Sequence, residues 1–264
     1  AFDKNGAFFV DGGLTFNGAV ATALTPDSAA TIVGSSNVPF TSAATAFAID
    51  DVGREIQYSY PAPDGEGYHV ARARITGFTD ASHVTASILA PFPSAAPIAA
   101  GAWSLGATTI QGLGHLVGET VTILADGATH PDRVVAPDGS ISLERPAAFA
   151  HVGLGYTSRL ATMDIEAGAL DGSAQGKSRR IHRVIVRLNY SLGMRVGATD
   201  AGSEDVVFRA ARTAMDQSPP LFTGDKVVAF PKGWATEAVV TVLQEQPLPC
   251  TIVALIPQLT TMDG

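Results

Sequence analysis

The sequence predicts an all-β protein, with an antiparallel sandwich-like or barrel-like main domain over 1–24 and 107–264 and a small β module inserted at 25–106. Three observations lead there. Short apolar runs alternate with turn dipeptides, including Asn17-Gly18, Asp64-Gly65, Asp126-Gly127, Asp138-Gly139 and Asp171-Gly172. Asn-Gly and Asp-Gly suit tight turns because both residues tolerate positive φ. The run 180–191 alternates with a period of two, which is strand geometry. Sustained helical periodicity is nearly absent.

The elements follow in order. Ala7-Phe8-Phe9-Val10 opens an apolar stretch that reaches Asp11-Gly12-Gly13. No initiator Met precedes it, and no basic segment leads into an apolar core as in a signal peptide. We therefore expect that Ala1 is not the biological start and that the chain is the C-terminal part of a longer polypeptide. Residues 25–106 are rich in Ala, Ser, Thr and Pro, and hold strand-like runs at 47–49, 54–60, 69–78 and 83–89. Pro91, Pro93 and Pro97 then break the chain before Trp103. A module of this kind fits a loop insertion, since loops tolerate insertions at little entropic cost.

Further strands are expected at 119–124, 133–135, 141–143, 181–190, 226–230, 238–243 and 251–255. In the longest of these, His182, Val184, Val186, Leu188 and Tyr190 should share one face. Ile181, Arg183, Ile185, Arg187 and Asn189 should share the other. Residues 205–216 contain good helix formers and could make two or three turns before Pro219-Pro220.

Composition excludes several classes. The 264 residues carry a net charge of −8, are 46% hydrophobic and only 16% charged, and include one cysteine. High apolar content with low charge argues against disorder. One thiol excludes an internal disulfide. An acidic total argues against a protein that coats nucleic acid. No apolar run approaches the ~18 residues of a membrane helix.

The chemistry-bearing residues point to no reaction. The histidines at 69, 83, 115, 130, 151 and 182 have no helical metal-ligand spacing. His115 and His130 flank Asp126, but turn histidines bonded to backbone explain them better. Cys250 reads as a small buried hydrophobe. Gly112-Leu113-Gly114 would need glycine at Val117 to complete a phosphate fingerprint. Asp50-Asp51 and Glu204-Asp205 are adjacent pairs whose carboxylates diverge on a strand. We expect no catalytic residue, no cofactor and no metal.

One charge feature stands apart. Lys177, Arg179, Arg180, Arg183, Arg187 and Arg195 are six of the 17 cations, in a stretch free of Asp and Glu. They are the candidate contact residues, a stripe for an acidic neighbouring subunit or a DNA backbone. The competing reading is a solvated strand face with partners elsewhere in the fold.

An ordered series of motifs carries a resemblance. Residues 112–127 read GLGHLVGETVTILADG, followed by Ile141-Ser142-Leu143, His151-Val152-Gly153-Leu154-Gly155-Tyr156, Gln175-Gly176-Lys177-Ser178-Arg179-Arg180, Ser191-Leu192-Gly193, Leu221-Phe222-Thr223-Gly224-Asp225 and Gln246-Pro247-Leu248-Pro249. The series resembles the C-terminal region of tail nozzle proteins of short-tailed phages, also called tail tubular protein B or packaged-DNA stabilisation proteins. It covers roughly 5–20 and 103–260; residues 25–106 depart from the simplest pattern.

The resemblance implies a structural virion protein located in the phage tail. It implies a homo-oligomeric ring, expected to be sixfold, that contacts the portal or adaptor and other tail proteins. Such a ring continues the DNA channel, through which phage DNA passes without specific binding, and helps retain and release the genome. An acidic lumen would keep the duplex from sticking. The alternative is a receptor- or carbohydrate-binding module of a tail fibre or tailspike. In the leading reading, Tyr58, Tyr60 and Tyr68 of the 25–106 module are the candidates for contact with a fibre, a neighbouring tail protein or a host glycan.

Overall fold

A computed structural model describes residues 8–61, 68–166, 176–209, 218–230 and 233–262. Eighteen strands form four antiparallel sheets, with short 3-10 turns and no α-helix among these residues. The chain divides into two compact units, one centred on 12–154 and one on 155–264.

In the first unit, β1 (Asp11–Asn17), β8 (Thr120–Ala125), β9 (Ala128–Val134) and β11 (Phe149–Leu154) pair in the order β1-β11-β8-β9. The hairpin β8–β9 turns at Asp126-Gly127, whose φ values are 51° and 71°. Positive φ at both central residues is what a two-residue hairpin loop requires. The Asp126 carboxylate accepts from the backbone N–H of Ala148 at 3.0 Å and of Phe149 at 2.9 Å, tying this turn to β11. Burial pushes that carboxyl upward in pKa, against the opposing pull of the two amides. Gly139, at φ 74°, brings the Asp138-Gly139 turn against the Gly114 backbone; a Cβ there would lie 2.9 Å from the Gly114 nitrogen.

The larger sheet of this unit uses β2 (Leu24–Pro26), β3 (Val38–Ser42), β4 (Glu55–Pro61), β5 (Tyr68–Asp80), β6 (His83–Ala90), β7 (Trp103–Ile110) and β10 (Ile141–Ala147). Its order is β10-β7-β4-β5-β6-β3-β2. Residues 24–105 have their own core, in which Leu24, Phe40, Ile56, Ile75, Ile88 and Trp103 are buried. The Trp103 indole N–H donates to the Thr22 carbonyl at 2.6 Å. This sheet also takes β10: β7 crosses the expected boundary, pairing with β4 over 103–106 and with β10 over 107–110, so the expected insertion and the 107–154 segment share one sheet. A second core joins Ile110, Leu113, Val121, Ile123, Ile141 and Val152.

The expected strand at 47–49 is not formed. Ile49–Asp51 is a 3-10 turn. Asp51 accepts from the Ala48 N–H at 2.8 Å and from Arg54 Nη1 at 2.6 Å, and this local side-chain bonding competes with a ladder.

In the second unit, β12 (Ser158–Ala161), β14 (Arg195–Gly197), β15 (Ser203–Asp205) and β17 (Thr241–Gln244) pair in the order β12-β17-β14-β15. The other sheet has β13 (Arg179–Ser191) between β16 (Phe222–Ala229) and β18 (Ile252–Thr261). Both sheets contribute to one core, including Val184, Val186 and Leu188 from β13, Val196 from β14 and Val242 from β17. Asp205, the expected start of a helix, is a strand residue, and 206–209 are irregular. The rest of that expected helix, and the turns at 64–65 and 171–172, lie outside the described residues. No helix among the described residues is long and apolar enough to cross a membrane.

Candidate interaction surface

The middle strand β13 decides where the cations go. Its register against β18 runs Ile181 to Leu259 and then Arg183 to Gln258, so His182 is an extra residue. Such a bulge reverses which face the following side chains occupy. On the core side lie Arg179 and Ile181 before the bulge, and Val184, Val186 and Leu188 after it. The expected alternation therefore holds from Arg183 to Leu188. It fails at Ile181, which is buried, at His182, which is exposed, and at Tyr190, which is exposed although expected on the apolar face.

The bulge separates the six cations. Arg179 is only 2% exposed. It donates to Asp164 Oδ2 at 2.6 Å, to the Ile165 carbonyl at 2.5 Å and to the Thr236 carbonyl. With its guanidinium held inside the unit, Arg179 is corrected from contact stripe to internal ion pair. Arg195 lies in the other sheet, where it pairs with Glu245 at 3.3 Å and donates to the Ser203 carbonyl at 2.9 Å. Lys177 precedes β13.

Three of the six remain on the outward face. Arg187 forms a two-pronged pair with Asp225, at 2.8 and 2.9 Å. The Arg187 hydrogen bond holds the Asp225 carboxyl below its ordinary range. Arg183 donates to the neutral Gln258 side-chain oxygen, so its charge is not cancelled. Arg180 is exposed and makes no ion pair among the described residues.

Between Arg183 and Arg187 an apolar row crosses the sheet. Ile185 stands opposite Val227 on β16 and Ile256 on β18. Val227 is 62% exposed and Ile256 39%. Sequence reasoning missed Val227 and Ile256 as site residues. A signal was present: Val227-Val228 and Leu255-Ile256 place apolar groups on both faces of their strands. That is the composition of strands covered on both sides. The core covers one face, and solvent meets the other.

Lys226 does not join this face. It lies opposite Val186 on the core side, with its ammonium 4.5 Å from the Phe222 ring centroid and 2.9 Å from the Val207 carbonyl. The aromatic candidates are divided as well. Tyr58 and Tyr60 stack at 5.7 Å and pack against the first core, whereas Tyr68 is exposed.

The other chemical candidates are occupied by backbone. His115 Nε2 is 2.6 Å from the Gly12 carbonyl, and His130 Nε2 accepts from the Glu144 N–H at 2.9 Å. No group of three His, Cys, Asp or Glu residues able to hold a metal occurs among the described residues. Cys250 lines an open cleft of about 340 Å³ with Tyr156, Leu160, Gln246 and Leu248. Burial pushes its thiol pKa up, which keeps it protonated and weakly nucleophilic.

No protein-family model matches the chain, and no curated protein matches it.

Proposed function

We propose that this chain is a non-enzymatic structural subunit of a bacteriophage tail, assembled with copies of itself in a nozzle-like ring that continues the DNA channel. The observation that carries the reading is the apolar row Val227–Ile185–Ile256, left in water on an arginine-bearing sheet face. Contiguous exposed apolar surface marks an interaction site, and an assembly covers it. The arginines beside it favour an acidic neighbour, and the chain as a whole is acidic at −8. The ordered motifs from Gly112 to Pro249, similar to those of tail nozzle proteins, support the phage setting.

Catalysis is not needed in this reading. The chain would act by shape and charge, closing a ring through contacts between different surfaces of successive copies. An acidic channel wall would let DNA slide. Native mass and electron microscopy of the purified protein test the proposal. A closed ring with an axial channel is expected. A monomer at high concentration, or a fibrous trimer, would overturn it.

A further inference from the structure

We infer that the arginine-framed face of β13 is covered by the Ile49–Val52 corner of a second copy of this chain; this rests on the homo-oligomeric reading above. The corner is a rigid turn with an outward apolar and acidic surface. Asp51 locks it from within, binding the Ala48 N–H and Arg54. Arg54 in turn donates to the Gly106 and Leu105 carbonyls at 3.3 and 2.9 Å, anchoring the turn to β7. What this scaffold holds outward is Ile49, 64% exposed, and Val52, 44% exposed, with Asp50 between them. Asp50 is exposed and makes no ion pair among the described residues.

The two surfaces match in size and chemistry. Ile49 and Val52 stand three residues apart, the spacing at which a 3-10 turn brings side chains to one side. The row from Val227 through Ile185 to Ile256 spans two inter-strand spacings, about 10 Å. Two apolar side chains fit across that width. Arg183 is one step along the same strand face, about 7 Å from Ile185. It is placed to meet the Asp50 carboxylate once the apolar groups are seated, with Arg180 beyond it. The turn is already held in shape, so little ordering entropy opposes docking. Because knob and face are different surfaces, each copy offers one of each, and the contact propagates from copy to copy.

A charge-swap experiment tests this in the full-length chain. The dissociation midpoint of the assembly is read by light scattering across a dilution series. Asp50→Lys and Arg183→Glu should each raise the midpoint at least about tenfold, through like-charge contact. The double variant should return to within about threefold of wild type, because the pair is restored in reverse. Val227→Lys should weaken assembly regardless of the swap. All these side chains are exposed, so thermal unfolding should stay near wild type and exclude misfolding as the cause. If Arg183→Glu and Val227→Lys weaken assembly but Asp50→Lys does not, the face is an interface with another occupant, and this inference fails alone. Absence of rescue in the double variant overturns it too. A wild-type monomer at every concentration would overturn both it and the ring.

Discussion

Strands β5 and β13 are both 13 residues long, both central in their sheets and both carry arginines. They meet different ends. On β5, Ala71, Ala73 and Ile75 face the core, while Arg74 on the opposite face pairs at 2.9 Å with Glu55, a residue only 2% exposed. The neighbouring strands supply Gln57, which donates to the Pro146 carbonyl. Arg74 on β5 thus finds its counter-charge within its own chain. On β13 the neighbours of Ile185 are two exposed aliphatic residues, and Arg183 finds only a neutral amide. A pattern of arginines alternating with aliphatics therefore does not define a surface. The partners delivered by adjacent strands do.

Within β13 itself the largest effect should come from Arg179. Removing the buried, bonded guanidinium takes a donor from the Ile165 and Thr236 carbonyls, while the Asp164 carboxylate, exposed on one side, keeps the Ala238 N–H. Arg179→Met is expected to cost about 2–3 kcal/mol in urea unfolding, through the buried carbonyls left without a donor. Arg183→Ala, four residues along, should cost less than about 0.5 kcal/mol. Equal costs would erase the distinction that the bulge at His182 creates.

A second test probes a half-buried acid of the first unit. The Asp126 carboxyl is raised by burial, so ionising it opposes folding. A raised folded-state pKa stabilises fully below the ordinary carboxylate value and loses that contribution as pH rises through the raised value. Asp126→Asn keeps an acceptor for Ala148 and Phe149 and tolerates positive φ. It should melt higher than wild type at neutral pH, with the gap closing below about pH 4. A gap independent of pH would show that ionisation of Asp126 is not the source.

The smallest effect belongs to Arg187 and Asp225. Their pair lies at the surface, and such pairs contribute little. Asp225 is lowered by Arg187, so whatever the pair contributes is present above the ordinary carboxylate pKa and lost as pH falls through the lowered one. In Arg187→Gln, the Asp225 titration followed by NMR should return to the ordinary range, with unfolding unchanged. An unmoved titration would mean that another group holds Asp225.

Much of the fold was legible from local pattern. Asp126-Gly127 sits at its hairpin because few other dipeptides accept two positive φ values. The strands at 54–60, 69–78, 83–89 and 181–190 appear within a few residues of their expected bounds. The site was legible only in part. Arg183 and Arg187 could be placed on one face by alternation, but Val227 and Ile256 come from strands distant in sequence. Ile49 read as strand because it is apolar and β-branched; the Asp51 hydrogen bonds that make it a corner depend on Arg54 being braced by β7.

By itself the sequence determined an all-β chain, its principal turns and the gathering of cations near residue 180, because these depend on backbone preference and a two-residue period. Only the tertiary structure decided that Arg179 is internal and Arg183 external, that β10 completes the sheet of the 25–106 segment, and that an apolar row is left in water. The physical reason is register. Which face a strand residue occupies depends on every insertion against its neighbours, and one extra residue at His182 reverses it.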